Sequence, residues 1–318
     1  MEPDIRDEII LYVEEMSMRT NIKKKELIKQ IAIPKSRYYD WIKRQGKPNA
    51  HNGKIHKSHW ILPSEEEAIV NYCKERMIDG YRRETYKMLD GNVVAVSPST
   101  VYRVLKKHDL LNRWNPSKGA KPKGFKQPLK VHEHWHIDIS YVNVLGTVMF
   151  LITVLDGASR YVVHHELRTT MSGYDVELTI EKAMEKFPGV NPRLISDNGS
   201  QFTSKEFKEF IKLMELTHVR TSVAHPQSNG KLERFHGTIK QESIRKESYI
   251  SIEEARSRIE DYISYYNAER LHSAIYYLTP EDIMLDRTEQ RLKERQQKLD
   301  AARAHRIKVN QEGGEVVA

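Results

Sequence analysis

From His134 onward the apolar residues of this 318-residue chain stop recurring at helical spacing and fall into short extended runs, and that change constrains the fold more than any other feature. Trp135-His136-Ile137-Asp138-Ile139 predicts a strand, the apolar stretch Val148 to Leu155 a second and Tyr161 to Leu167 a third. A helix fits Ser172 to Phe187, the short strand Arg193-Leu194-Ile195-Ser196 follows, and a helix over 204–215 leads to a strand at His218 to Thr221. Strands that run first as a meander and then alternate with helices predict a mixed sheet flanked by helices, an α/β domain.

The first 130 residues read differently. They hold 27 Lys and Arg against 16 Asp and Glu, whereas residues 131–318 hold 25 against 28. The whole chain carries +8 and has an isoelectric point of about 9.2, which favours a polyanionic partner such as nucleic acid. Ile9, Ile10, Val13 and Met16, then Leu27, Ile28 and Ile31, recur at helical spacing, and Pro34 opens a third helix running to Arg44. That is a helix-turn-helix pattern. Its third helix carries Lys35, Arg37, Tyr38 and Lys43, which fit a groove reader or phosphate clamp and equally a solvated basic face on ordinary three-helix packing.

A second helical unit is announced by Ser64 with Glu67 three residues on, the pattern of a capping box, with Gly80 expected to end the helix. Ser97-Pro98 then supplies an N-cap and a proline at the first helical position. Ser99, Thr100, Tyr102, Arg103 and Lys106 on the helix that Ser97 opens are expected to face DNA, because a repeated unit on a basic half-chain is a stronger signal than one. Arg113 to Lys130 has six Lys or Arg, no acidic residue, three prolines and two glycines, a composition that cannot build a core. Lys121, Lys123 and Lys126 are expected to lie along the DNA backbone, each neutralised phosphate releasing a counterion.

The apolar run Val148 to Leu155 is far short of the ~20 residues a membrane span needs, and the acidic N-terminus is unlike a signal, so a cytoplasmic protein with no membrane partner is expected. A single cysteine, Cys73, excludes an internal disulfide and reads as a buried inert thiol. His132, His134 and His136 alternate along a strand without cysteine or a helical histidine partner, so no zinc is expected.

Three carboxylates are the candidates to carry chemistry, each of which taken alone also fits a surface residue or a helix cap. Asp138 sits inside a hydrophobic strand, where a lone carboxylate is costly unless something positive meets it. Asp197 follows a second apolar strand and begins the tight turn Asp197-Asn198-Gly199-Ser200, at the strand end where open α/β sheets place ligands. Glu233 falls in the first turns of a helix whose Leu232, Phe235 and Ile239 face the core. Such an all-oxygen set suits Mg²⁺ or Mn²⁺. A pair of these ions ~3.5–4 Å apart stabilises both the entering and the leaving oxygen of an in-line displacement at phosphorus.

Trp135-His136-Ile137-Asp138, Ser196-Asp197-Asn198-Gly199-Ser200-Gln201-Phe202 and His225-Pro226-Gln227-Ser228-Asn229-Gly230-Lys231-Leu232-Glu233-Arg234, with 35 residues between Asp197 and Glu233, resemble the retroviral-integrase and DDE-transposase superfamily. Within it, the chain most resembles insertion-sequence transposases of the IS-three type. Tyr266-Asn267, Arg270, His272 and Thr279-Pro280 are similar to the segment that usually ends these catalytic domains. Gly80-Tyr81-Arg82-Arg83 and Ser97 to Arg103 are similar to the upstream DNA-binding helices. The resemblance implies an RNase-H-like catalytic domain with Asp138, Asp197 and Glu233 as catalytic metal ligands for two Mg²⁺, or Mn²⁺, ions. It also implies binding to the terminal inverted repeats of a mobile element, strand cleavage and strand transfer, and a multimer that holds two DNA ends. The retroviral branch carries a His2Cys2 zinc module, which Cys73 alone cannot supply.

The expected organisation is a helix-turn-helix domain over 1–45, a linker over 46–62, a second helix-turn-helix-like domain over 63–112 and a basic linker over 113–130. A catalytic core over 131–248, a helical part over 249–287 and a charged helix with a disordered tail over 288–318 complete it. Around the triad, Lys231 and Arg234 fit either a DNA end or pairing with carboxylates, the resemblance favouring DNA for Lys231. Gln227 and Asn229 fit either an orienting role at the scissile phosphate or helix capping. Asp156, in an Asp-Gly turn, reads as structural, and His236 as a neighbour of the metal site. Leu285, Leu292 and Leu299 fit a short coiled-coil seam or one side of a solvated charged helix. Two rival functions remain at this point: a catalytically silent DNA-binding regulator, which would lack a catalytic carboxylate, and a structure-selective nuclease, which needs less sequence recognition than two helix-turn-helix units offer.

Overall fold

The computed structural model describes residues 3–47, 57–76, 79–111, 130–220, 230–246 and 248–314. It divides into a unit around Met1–Trp60 and a unit around Ile61–Glu312. Among the described residues no helix is long and apolar enough to cross a membrane.

In the first unit α1 (Pro3–Thr20), α2 (Lys24–Gln30) and α3 (Lys35–Ile42) bury Ile10, Val13, Leu27, Ile28 and Tyr38 together. Tyr38 corrects the sequence reading. It is 0% exposed, because it stands three and four residues before Trp41 and Ile42 on the inward stripe of α3, and is unavailable to DNA. Lys35, Arg37 and Lys43 are exposed. Pro34 is the N-cap of α3 rather than its first residue.

The second unit opens with α4 (Pro63–Arg76), α5 (Tyr81–Asp90) and α6 (Pro98–Lys107), whose core includes Ile69, Cys73, Met88, Val101 and Leu105. Burial pushes the Cys73 thiol up to about 11, as suits an inert group. Ser97 accepts the Thr100 N–H and Pro98 occupies the first turn, as its sequence predicts. The Ser64 capping box does not form: α4 starts one residue earlier, and Glu65 reaches back to the Leu62 N–H at 3.0 Å. Gly80 is the N-cap of α5 rather than the end of α4.

Five strands follow: β1 (His134–Val144), β2 (Thr147–Asp156), β3 (Val162–Arg168), β4 (Arg193–Ser196) and β5 (Thr217–Arg220), in spatial order β3-β2-β1-β4-β5. β1, β2 and β3 pair antiparallel, while β4 pairs parallel with β1 and β5 parallel with β4. Strand alternation sorts the side chains. Trp135 and Ile137 of β1 pack with Ile152 and Val154 of β2 and with the helices α7 (Gly173–Lys186) and α9 (Lys205–Leu213), the short α8 (Ser200–Thr203) adding Phe202. Val142 and Val144 pack with Leu151 and Leu155 and with α10 (Gly230–Ile239) and α11 (Ile252–Ala268) on the other face. Both faces are therefore covered, giving the mixed sheet flanked by helices and the RNase-H-like arrangement that the sequence led one to expect.

Beyond α10 the chain makes a π-helical turn over Lys240–Ile244. There Glu242 accepts two hydrogen bonds from Arg270, at 2.8 and 2.6 Å, and one from the Tyr262 hydroxyl at 2.8 Å. Burial pushes the Glu242 carboxyl up, but the hydrogen bonds and charge of Arg270 outweigh it and hold the group below its usual value. A depressed carboxylate contributes stability that is fully present above its unfolded pKa, ~4.3, and is lost as pH falls through the lower folded value. Wild type is therefore expected to lose more thermal stability between pH 5 and 3 than Glu242→Gln, and parallel melting curves for the two would contradict this.

The single charged helix expected to carry Leu285, Leu292 and Leu299 is two helices, α12 (Pro280–Met284) and α13 (Thr288–Gly314). Leu285 caps α12 and Asp286 takes a positive φ of 54°, so the chain turns there and α13 begins anew. That break removes Leu285 from any continuous seam with Leu292 and Leu299. The helix also continues through Gln311 to Gly314, where a disordered tail was expected.

Candidate active site

The sheet register brings two of the three carboxylates level. His136 pairs with Ile195 in the parallel ladder, so carrying that register two residues on sets Asp138 beside Asp197, just past the end of β4. The Asp197 carboxylate turns back to accept the Gly199 N–H at 2.9 Å, which holds it at the strand end. Asp138 accepts the Ile139 N–H at 2.9 Å and shares its face of β1 with Val142 and Val144, the face that α10 covers. On α10, Leu232, Phe235 and Ile239 are buried, while Glu233 in the first turn is exposed.

Asp197 and Glu233 act on Asp138 through space. Burial, then the charges of Asp197 and Glu233, push Asp138 up to about 6, against the Ile139 N–H and the attraction of Lys240. An anionic cluster of this kind favours a cation, and its donors are all oxygen. Among the described residues no three His, Cys, Asp or Glu side chains are already gathered around one ion position.

His236, one turn beyond Glu233, lies over the same spot. Its Nε2 is 3.3 Å from the hydroxyl of Thr153, the residue paired with Asp138 across β1 and β2, and its Nδ1 is 3.7 Å from Asp138. Burial and then Lys240 push His236 down to about 3, so it is neutral and buttresses Asp138 rather than forming an ion pair. Lys240 was not singled out from the sequence. It stands seven residues after Glu233, two helical turns on and so on the same side, which was the available signal.

Asp156 is structural, as expected: fully buried, it accepts N–H groups from His132, Ala158 and Ser159 and the Ser159 hydroxyl. His132 accepts the Trp135 indole N–H at 3.2 Å. Burial pushes His132, His134 and His136 down, His136 to about 3. Lys231, expected at DNA, is partly buried, and its ammonium donates to the Gly157 carbonyl at 2.7 Å. Burial, then Arg160, push it down to about 7.

Two family models, both described as integrase core domain, match residues 128–226 and 214–280, together covering all five strands and α10. The chain is 25% identical over 268 residues to the putative transposase InsK for insertion sequence element IS150 of Escherichia coli K12, covering 80% of this chain and 91% of that protein. It is 32% identical over 142 residues to an uncharacterized protein of insertion element IS136 from Agrobacterium fabrum, covering 42% of this chain and 73% of that protein. The chain belongs to the insertion-sequence transposases of the retroviral-integrase superfamily. Among solved structures, the HTLV-2 integrase catalytic core domain in complex with magnesium is 18% identical with a TM-score of 0.41, covering 49% of the transposase and 97% of that chain. A chain of the simian T-cell lymphotropic virus intasome is 16% identical with a TM-score of 0.46, covering 59% of the transposase and 66% of that chain.

In the transposase, the second helical unit exposes Arg82, Ser99, Tyr102, Arg103 and Lys106, with Thr100 half-buried. Tyr81 and Tyr102 pack at 5.3 Å, and Arg103 donates to Thr100 at 3.2 Å. Arg83 is turned inward instead, its guanidinium engaged by Asp79. Arg234 is exposed on α10. Lys121, Lys123, Lys126, Gln227 and Asn229 lie outside the described residues.

Proposed function

We propose that this transposase cleaves DNA at the ends of an insertion sequence and joins those ends to target DNA, with Asp138, Asp197 and Glu233 as the catalytic carboxylates. The observation that supports the reading is the strand register that sets Asp138 of β1 beside Asp197 at the end of β4, with Glu233 in the first turn of the helix that covers the same face. Their all-oxygen chemistry fits one or two Mg²⁺ ions, which when bound would stabilise charge at the reacting phosphate and lower the pKa of an attacking hydroxyl. Asp138 is held by the Ile139 N–H, and Asp197 by the Gly199 N–H. Neutral His236 buttresses Asp138 and takes no proton from it. Lys240, attracted to Asp138, is set to meet an anionic DNA strand at the mouth of the site.

Recognition of the element's terminal repeats falls to two basic surfaces, treated separately: Lys35, Arg37 and Lys43 on α3, and Arg82, Ser99, Thr100, Tyr102, Arg103 and Lys106 on α5 and α6. The full chain, incubated with labelled duplexes carrying the element ends and Mg²⁺, is expected to give joined-strand products, with DNA affinity falling steeply as salt rises. Joining without a divalent metal would overturn the metal assignment. Hydrolysis without joining would make the protein a nuclease.

A further inference from the structure

The turn between β2 and β3 is tied down by hydrogen bonds. Fully buried Asp156 ties it to the N–H groups of His132, Ala158 and Ser159, and the Gly157 N–H donates to the His134 carbonyl at the start of β1, at 2.8 Å. The Gly157 carbonyl, fixed in this way to the strand that carries Asp138, accepts two cations: Arg160 at 2.6 Å and Lys231 at 2.7 Å. A carbonyl oxygen has two lone pairs, so both are accommodated. Lys231 lies in the first turn of α10, two residues before Glu233 and 74 residues from Gly157 along the chain.

We propose that Lys231 is a positioning residue for Glu233: its hydrogen bond to Gly157 sets the axial position of α10 against β1 and so the place of the Glu233 carboxylate relative to Asp138. This rests on the reading of Glu233 as a catalytic carboxylate. Leu232 and Phe235 bury α10 against the sheet, but apolar contacts are non-directional and tolerate a small slide along the helix axis. A hydrogen bond to a fixed carbonyl does not tolerate it. A displacement of ~1 Å at a reacting group costs up to about 100-fold in rate. A lysine that gripped the DNA backbone would instead hold its ammonium out in solvent, whereas this one is partly buried with a donor already engaged.

The test compares Lys231→Met with wild type in the full chain, using labelled element ends and Mg²⁺. The expected result is a joining rate at saturating DNA that falls by about 10- to 100-fold, a higher Mg²⁺ concentration for half-maximal rate, and unchanged DNA affinity and salt dependence. Lys231→Gln, which keeps an N–H donor without the charge, is expected to retain more of the rate and serves alone if the Met variant does not fold. A phosphate contact predicts the reverse, overturning the proposal: weaker DNA binding, a salt slope reduced by about one ion, the same loss in Met and Gln variants and a normal rate at saturation. Unchanged behaviour in both variants also overturns it. Failure of the Glu233 reading shows separately, as Glu233→Gln joining DNA at the wild-type rate.

Discussion

Asp138→Asn is expected to abolish DNA joining, by roughly 10³-fold or more, while leaving the protein at least as stable as wild type. The two effects share one cause. The Asp138 side chain is 19% exposed, with the Ile139 N–H as its backbone partner, and burial together with Asp197 and Glu233 pushes it up to about 6. An acid whose pKa is raised on folding loses stability as pH climbs from its unfolded value towards the folded one, and the loss is complete above about 6. At neutral pH the fold therefore carries an anion that the Ile139 N–H and Lys240 only partly compensate, and asparagine, nearly the same shape, removes it. The same anion is what a divalent ion would neutralise. Mg²⁺ should thus raise the melting temperature of wild type and have a much smaller effect on the variant, with DNA binding intact in both. Joined product from the variant at the wild-type level would remove Asp138 from the chemistry, and an equal response of both proteins to Mg²⁺ would remove it from the metal site.

What was legible in the sequence was legible for local reasons. Alternation over Trp135 to Ile139 and the short run Arg193 to Ser196 locate β1 and β4, and with them Asp138 inside β1 and Asp197 just past the end of β4. Ser97-Pro98 and Ser172 mark helix starts because their hydroxyls accept N–H groups from residues three further on. The readings that failed turned on backbone conformations or side-chain partners that the residue pattern does not announce. The β1–β2 turn is Leu145-Gly146, both with positive φ, of 54° and 80°, and leucine gives no hint of such a turn; hence β1 was cut short at Ile139 when it runs to Val144. Tyr38 sits in a helix of mixed pattern where its burial is decided by α1 and α2. Arg83 and Lys231 look like DNA contacts in a basic chain; the fold pairs Arg83 with Asp79, four residues before it, and has Lys231 donate to Gly157, 74 residues away. The charged composition of α13 gave no sign that its arginines were destined for the interior.

Those arginines carry the second large effect. Arg295 is 4% exposed, pairs with both oxygens of Asp90 at the end of α5 at 2.8 and 2.6 Å, donates to the carbonyls of Tyr276 and Tyr277, and lies over the Tyr86 ring at 4.8 Å. Lys298 donates to the last carbonyls of α5, those of Leu89 and Asp90, at 3.1 Å each, and Arg306 pairs with Glu65 of α4. α13 is therefore fastened along the second helical unit by the buried Arg295 and Arg306 and the half-buried Lys298, and Arg295 also reaches the segment ahead of α12. Arg295→Ala leaves Asp90 with Arg291, at 3.4 Å, as its remaining cationic partner and takes the donor from the Tyr276 and Tyr277 carbonyls, a loss at the lower end of the range for a broken buried pair, about 3 kcal/mol, whereas an exposed pair contributes at most about 1. The variant should melt several degrees lower and show faster amide exchange in both α5 and α13, while Lys293→Ala, on the exposed side of α13, should melt like wild type. If α5 and α13 are held by this contact, DNA bound at α5 and α6 has a fixed geometry relative to Asp138, and the same variant should lose joining activity more than DNA affinity. A wild-type melt for Arg295→Ala would mean that α13 rests on α5 without supporting it.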